Sequence, residues 1–239
     1  MGEEKDKQKT EGTYPVIPLP PGRFIFPQQK FVIATEKHQS VGTAKDALTR
    51  EKKILLLNKK KEDIEIPEPN DLHEIGVIVK ITDHIQKADS LRLVVEGIAR
   101  VRTIEFSQTG DFLQARAQIV KEAPCKSDAV LPLMKEVTEA FDKYKEECQK
   151  RRPTQESPSP NIPQTDDPGF FADSIASIIA AYTDYRPERF QAVLEAFDTK
   201  ERLEKLKEIL NEEMDLLEFE MRVLKKVGKQ ILKNLGLPY

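Results

Sequence analysis

The sequence predicts an α+β protein: a strongly curved sheet or small barrel with one helix, then an α-helical bundle ending in a long helix. Two changes along the chain predict it. Apolar residues alternate before about residue 125 and recur at helical spacing after it. The last part holds a four-three spacing from Leu210 to Ile231, the seam of a bundle or coiled coil.

In the first part, Ile75, Val77, Val79 and Ile81 recur at period two, as do Leu91, Leu93 and Val95, and then Ala115, Ala117 and Ile119. Such alternation marks half-buried strands. Ile54 to Leu57 is a continuous apolar run, suited to a strand buried on both faces. Ser40 to Arg50 is the one stretch suited to a helix, with Ser40 or Thr43 able to cap it. Gly97 directly follows a strand pattern, where a bulge or turn is expected. These features predict many short strands.

In the second part, Val130 to Gln149 forms a first helix. Asp167 can cap a second, whose Pro168 sits where a missing N–H costs nothing, and Phe171, Ile175, Ile178, Ile179 and Tyr182 share a face. Pro187 opens a third, carrying Phe190, Val193, Leu194 and Phe197. Asp198 with Glu201 starts a fourth. Its seam is Leu210, Met214, Leu217, Met221 and Leu224, with Ile231 beyond Gly228. The resulting division is a disordered tail over 1–13, a β-rich part over 14–124 and a helical part over 125–239. The helical part includes a flexible Pro/Ser/Gln-rich linker over 151–166 and the long helix over 199–233.

Composition excludes several classes of function. With 239 residues and a net charge of −3, the chain has no basic excess for a phosphate backbone, so no nucleic acid is expected as partner. No run approaches the roughly 18 apolar residues of a membrane span, and the mixed-charge start lacks the marks of a signal or transit peptide. Two cysteines build no disulfide framework, so the expected location is cytoplasmic. No phosphate-binding G-x-x-x-x-G-K-[ST] loop and no G-x-S-x-G elbow occurs. His38, His73 and His84 lack metal-ligand spacing, and Cys125 and Cys148 form no C-x-x-C pair, so neither catalytic residues nor a metal site is expected. Cys148 is expected exposed on a polar helix.

Two blocks carry a resemblance. The first contains Pro15-Val16-Ile17-Pro18-Leu19, Phe24-Ile25-Phe26-Pro27, Asp71-Leu72-His73-Glu74-Ile75-Gly76 and Val95-Glu96-Gly97-Ile98-Ala99-Arg100. The second is Asp167-Pro168-Gly169-Phe170-Phe171-Ala172-Asp173-Ser174, followed by Glu201-Arg202-Leu203 and Glu213-Met214-Asp215. Their order across Tyr14 to Lys233 resembles the amino-terminal region of Lon ATP-dependent proteases. The resemblance implies a six-stranded, barrel-like β domain with one helix, then a helical bundle whose last helix is long. It also implies a role in engaging unfolded or degron-bearing proteins and in assembling a homo-hexamer. ATP and Mg would belong to an ATPase module outside this chain, so no cofactor is expected here. The second reading is a stand-alone Lon-domain adaptor without protease activity. The chain departs from the family at Gln28-Gln29 after Pro27, at Pro20-Pro21-Gly22, and at Val32-Ile33-Ala34 before the first helix.

Binding unfolded chains requires exposed apolar surface or an unpaired strand edge. The candidates are Phe24, Ile25, Phe26 and Phe31, read as an aromatic loop, with Phe170 as a weaker one. The competing reading places the loop residues in the core, plugging the barrel. The seam residues Leu210, Met214, Leu217, Met221, Leu224 and Ile231 are candidates for contact with a neighbouring subunit. The charged residues of that helix, Lys205, Lys207, Glu208, Glu212, Glu213 and Glu218, read as a solvated face.

Overall fold

The computed structural model describes residues 10–35, 38–87, 90–109, 112–122, 127–151, 162–183 and 186–234. Six strands are formed: β1 (Glu11–Leu19), β2 (Lys30–Thr35), β3 (Lys53–Asn58), β4 (Ile75–Lys87), β5 (Ser90–Thr109) and β6 (Phe112–Ile119). Helix α1 (His38–Thr49) lies between β2 and β3. The helical part follows as α2 (Ser127–Arg151), α3 (Pro168–Ala180), α4 (Glu188–Glu195) and α5 (Thr199–Asn234).

The strand order is β2-β5-β4-β3-β1-β6, and β6 also pairs with β5, so β5, β4, β3, β1 and β6 close into a ring. Strand β1 makes the closure possible by serving two neighbours in turn. Glu11 to Pro15 pair antiparallel with β6, and Val16 to Leu19 pair parallel with β3. Among the described strands, β2 alone stands outside the ring, paired with β5.

Strands β1, β2, β3 and β6 are short, with 9, 6, 6 and 8 residues, but β4 has 13 residues and β5 has 20. Bulges hide this in the sequence. Val79 pairs with Gly97 but Ile78 with Ala99, so Ile98 is the extra residue and its side chain is exposed. An extra residue bends a strand and restarts its alternation. The bulge predicted at Gly97 is therefore present. Its need for glycine is steric: a Cβ there would sit 2.3 Å from the Phe26 carbonyl oxygen.

Strand β3 is buried on both faces, as its apolar run requires. Ile54 and Leu56 enter a large core shared with the helices, while Leu55 and Leu57 enter a smaller one with Val16, Leu72, Ile78 and Val101. The large core continues from Ile17, Val79 and Leu93 of the sheet to Phe141, Ile175, Phe190 and Leu206 of the helices. Two-faced burial of the sheet on this side is what lets a modest apolar content support both parts.

Several boundaries differ from expectation. Residues 11–13, placed in the tail, belong to β1, while residues 1–9 lie outside the described residues. Of the predicted linker, 152–161 also lie outside them, but Arg151 ends α2 and Ile162 packs against the core. Cys148 is half-buried against that core rather than exposed. Helix α3 begins as read: the Asp167 Oδ1 accepts from the Gly169 and Phe170 N–H groups at 2.8 and 3.1 Å. Tyr182 falls past its C-cap, Ala181, and is exposed rather than on the packed face. Phe197 lies beyond the end of α4. Asp198 caps α5 through the Lys200 and Glu201 N–H groups, and the helix runs through Gly228 without a break.

Candidate functional site

The Phe24 to Pro27 segment turns under α4. Phe24 packs on Phe190 with ring centroids 5.9 Å apart, and Phe26, at 0% exposure, has the Arg100 guanidinium 6.0 Å above its ring. The turn is fixed by the backbone: Gln28, in left-handed conformation, donates to the Gly97 carbonyl, and Gly97 donates to the Gln29 carbonyl, both at 2.9 Å. Phe24, Ile25 and Phe26 are thus core residues and offer no surface. The physical reason is that the helical part covers this end of the sheet and consumes its aromatics. Phe31 and Phe170 are half-buried, with Phe31 packed against the core.

Beside Phe26 lies a buried ionic cluster that the sequence reading passed over. The Arg100 and Arg202 side chains are fully buried. Arg100 donates to both Asp173 carboxylate oxygens at 2.8 and 2.6 Å, to Glu122 at 2.8 Å and to the Leu194 carbonyl at 3.0 Å. Arg202 donates to Asp173 at 2.9 Å and to Glu122. Burial opposes the Arg202 charge, but Asp173 and Glu122 outweigh it and raise its pKa. One guanidinium pair therefore ties β5, the exit from β6, α3, α4 and α5 together. Every strong acceptor in the cluster is engaged by an arginine, so the cluster is a structural clasp. Both Arg100 and Asp173 stand in the quoted sequence blocks. Arg100 between Ala99 and Val101, and Asp173 as the single charge of the apolar segment 168–180, were the signals available.

The surface candidates lie elsewhere. In α5, Leu210 is fully buried, and Met214 and Leu217 pack against the core, so this part of the seam is not offered to a neighbour. Glu213 is buried and bonded to Arg189 at 2.5 Å, not on a solvated face, and Glu212 accepts from Arg186 and Arg189. Further along, Met221 is half-buried, whereas Leu224 is 65% and Ile231 52% exposed. Leu216, Phe219, Val223 and Val227, absent from the predicted seam, are exposed as well. At about 100° per residue these six side chains cover roughly 140° of the helix surface. Together these large apolar groups form an exposed apolar arc along the outer half of α5.

Several clefts border the sheet, among them one beside His73 and one beside β2. The first, of about 430 Å³, is lined by His73, Lys60, Arg102, Glu195 and Phe197. Here His73 Nδ1 is 3.6 Å from Glu195, and burial lowers the His73 pKa, partly offset by Glu195 and reinforced by Lys60. The other, of about 710 Å³, borders β2. Among the described residues no group of three His, Cys, Asp or Glu is placed to hold a metal, and no helix is long and apolar enough to cross a membrane.

The sequence and the fold have known relatives. Residues 13–212 match the family model of the ATP-dependent protease La (LON) substrate-binding domain. The Lon protease of Halothermothrix orenii is 31% identical over 224 residues, covering 92% of this chain and 28% of that protein. The Lon protease of Heliobacterium modesticaldum is 30% identical over 235 residues, covering 98% of this chain and again 28% of the relative. The chain thus spans 28% of the length of these relatives. Among solved structures, the N-terminal domain of Mycobacterium avium complex Lon protease superposes with a TM-score of 0.64 at 21% identity, over 84% of this chain and 98% of that one. The Lon N-terminal domain protein from Xanthomonas campestris gives 0.52 at 12% identity. That likeness extends to the six-stranded sheet with its helices. The chain belongs to the Lon substrate-binding domain family.

Proposed function

We propose that this chain is the non-catalytic, substrate-engaging region of a Lon-type ATP-dependent protease, holding unfolded or degron-bearing proteins and supporting homo-hexamer assembly in the cytoplasm. The ATP- and Mg-dependent steps belong to other modules. The observation that carries the assembly role is the apolar arc on the outer half of α5. Leu216, Phe219, Val223, Leu224, Val227 and Ile231 are exposed along a helix whose inner half is anchored by the clasp through Arg202. A rigidly held helix presenting such a face suits pairing with a neighbouring subunit.

Two measurements test the reading. Fluorescence anisotropy of a labelled, permanently unfolded protein, titrated with this chain against a folded control, is expected to show saturable binding to the unfolded form only. Sedimentation velocity over a concentration range is expected to show weak self-association that Leu224→Asp abolishes. Equal binding to folded and unfolded protein removes the recognition role. A concentration-independent monomer mass removes the pairing role of α5.

A further inference from the structure

Strand β2 is the terminal strand of the sheet order, and its outer edge carries a defined set of backbone groups. The phase of its pairing with β5 fixes which residues present them. Gly97 donates to the Gln29 carbonyl, which therefore faces β5, while the Gly97 carbonyl accepts from Gln28; the register that follows makes Phe31/Val95, Ile33/Leu93 and Thr35/Leu91 the hydrogen-bonded pairs. Two side-chain bonds agree with this phase. Thr35 Oγ1 donates to the Leu91 carbonyl, which must face β2, and Thr82 Oγ1 of β4 donates to the Val94 carbonyl, which must face the other way. The N–H and C=O groups of Lys30, Val32 and Ala34 consequently point away from β5. All three residues are exposed, Val32 at 55%.

Natural sheets protect such edges with proline, bulges or inward charges. Strand β2 carries only Lys30 at its start, after the irregular turn at Gln28: from Phe31 to Thr35 it has no proline and no charge, and its register with β5 runs without a shift. Beside it lies the groove of about 710 Å³, whose lining includes Phe31, Ala34, Pro20, Pro21, Phe112 and Leu113. That volume accommodates side chains of drug size.

We infer that β2 captures extended segments of unfolded polypeptides by strand addition, the segment's backbone pairing with Lys30, Val32 and Ala34 while its alternate apolar side chains enter the groove. The occupant follows from chemistry: three outward N–H and C=O sets at the two-residue repeat of a strand, roughly 6.8 Å, are complemented by another extended backbone and by little else. A second copy of the chain is disfavoured by area. Six residues of edge span about 20 Å, far too little to bury the roughly 1,200 Å² of a stable protein interface. A transient hold on an unfolded chain needs no more, since several subunits acting together multiply it. This inference rests on the reading that the region engages unfolded chains, and it names the mode.

The test uses a fluorescent ten-residue peptide of alternating Thr and Val with Lys at both ends, and the same peptide N-methylated at its four central residues. The first is expected to bind and the second to bind at least tenfold more weakly. Val32→Pro removes one outward N–H that β5 does not use, so the fold is expected to stand by circular dichroism and the affinity to fall at least tenfold. Val32→Thr, which keeps the N–H, is expected to stay within twofold. Equal affinity for both peptides overturns strand addition while leaving recognition of unfolded chains intact. Binding of the permanently unfolded protein with no effect of Val32→Pro, or with no displacement by the peptide, places capture elsewhere and overturns the inference. Concentration-dependent dimerisation that Val32→Pro abolishes makes the edge an interface between copies, which also overturns it. Failure of the unfolded protein itself to bind overturns the underlying reading. If Val32→Pro unfolds the chain, the peptide pair on the unaltered protein decides.

Discussion

The two halves of α5 have similar apolar spacing and opposite fates. Over the inner half, Leu203, Leu206, Ile209 and Leu210 are buried against the bundle and sheet. Over the outer half, Leu216, Phe219, Val223, Leu224, Val227 and Ile231 meet solvent. Periodicity is a property of one helix, whereas burial depends on what the rest of the chain brings alongside. Here α2, α3 and α4 run out of length before α5 does. A helix can therefore carry apolar residues along its whole length while its own fold buries only those of one half.

The burial of the inner half depends most on the clasp. Asp173 neutralises two fully buried guanidiniums, and removing one partner of a buried ionic group costs about 3–5 kcal/mol. Asp173→Ala is expected to show a loss of this size in urea unfolding, since Arg100 and Arg202 keep only Glu122 as a carboxylate partner. A loss below 1 kcal/mol would mean that the guanidiniums find water, and that the inner half of α5 is not anchored as described. Next in size is a direct contrast along the helix. Leu210→Ala is expected to cost about 2–5 kcal/mol, as for other buried leucines. Leu224→Ala is expected to stay within about 0.5 kcal/mol, as for exposed positions. Similar values at the two sites would erase the distinction between the halves.

Much of the architecture was legible because local patterns matched the final packing. The double-sided burial of β3 follows from Ile54 to Leu57, and the start of α3 from Asp167 and Pro168. The bulge at Gly97 was legible as an interruption, but the length of β5 was not, because Ile98 resets the alternation. Phe24 to Phe26 stayed open between an aromatic loop and a plug of the barrel for a different cause. Pro and Gly around aromatics mark a turn, and that turn exists; whether a turn is covered depends on α4, some 165 residues away. The clasp was hidden for the same reason. Arg100, Glu122, Asp173 and Arg202 belong to four separate stretches, and no spacing rule joins them. The position of β2 at the end of the described strand order was out of reach too, since an edge is defined only once every other strand has chosen its neighbours.

The smallest expected effect concerns the body that holds the inner half of α5 and leaves the outer half untouched. His73 sits beside Glu195 at the junction of the sheet and α4, where Gln191 also bonds to the Ile75 carbonyl and to Glu195. Burial lowers the His73 pKa below the ordinary value of 6.5. Its folded state therefore gives up the proton more readily than its unfolded state. Where the unfolded state binds more protons, stability rises with pH. The contribution is fully present above pH 6.5 and is lost as pH falls through that value and then through the folded pKa. Because His73 is partly exposed and Glu195 counteracts the shift, the effect should be smaller than either core substitution. The measurable outcome is a fall in urea midpoint between pH 7.5 and 5.5 that is shallower in His73→Gln, with no matching change in self-association through Leu224. An identical pH slope in the variant would show that protonation of His73 is not resisted by the fold, and that the junction is wetter than its geometry indicates.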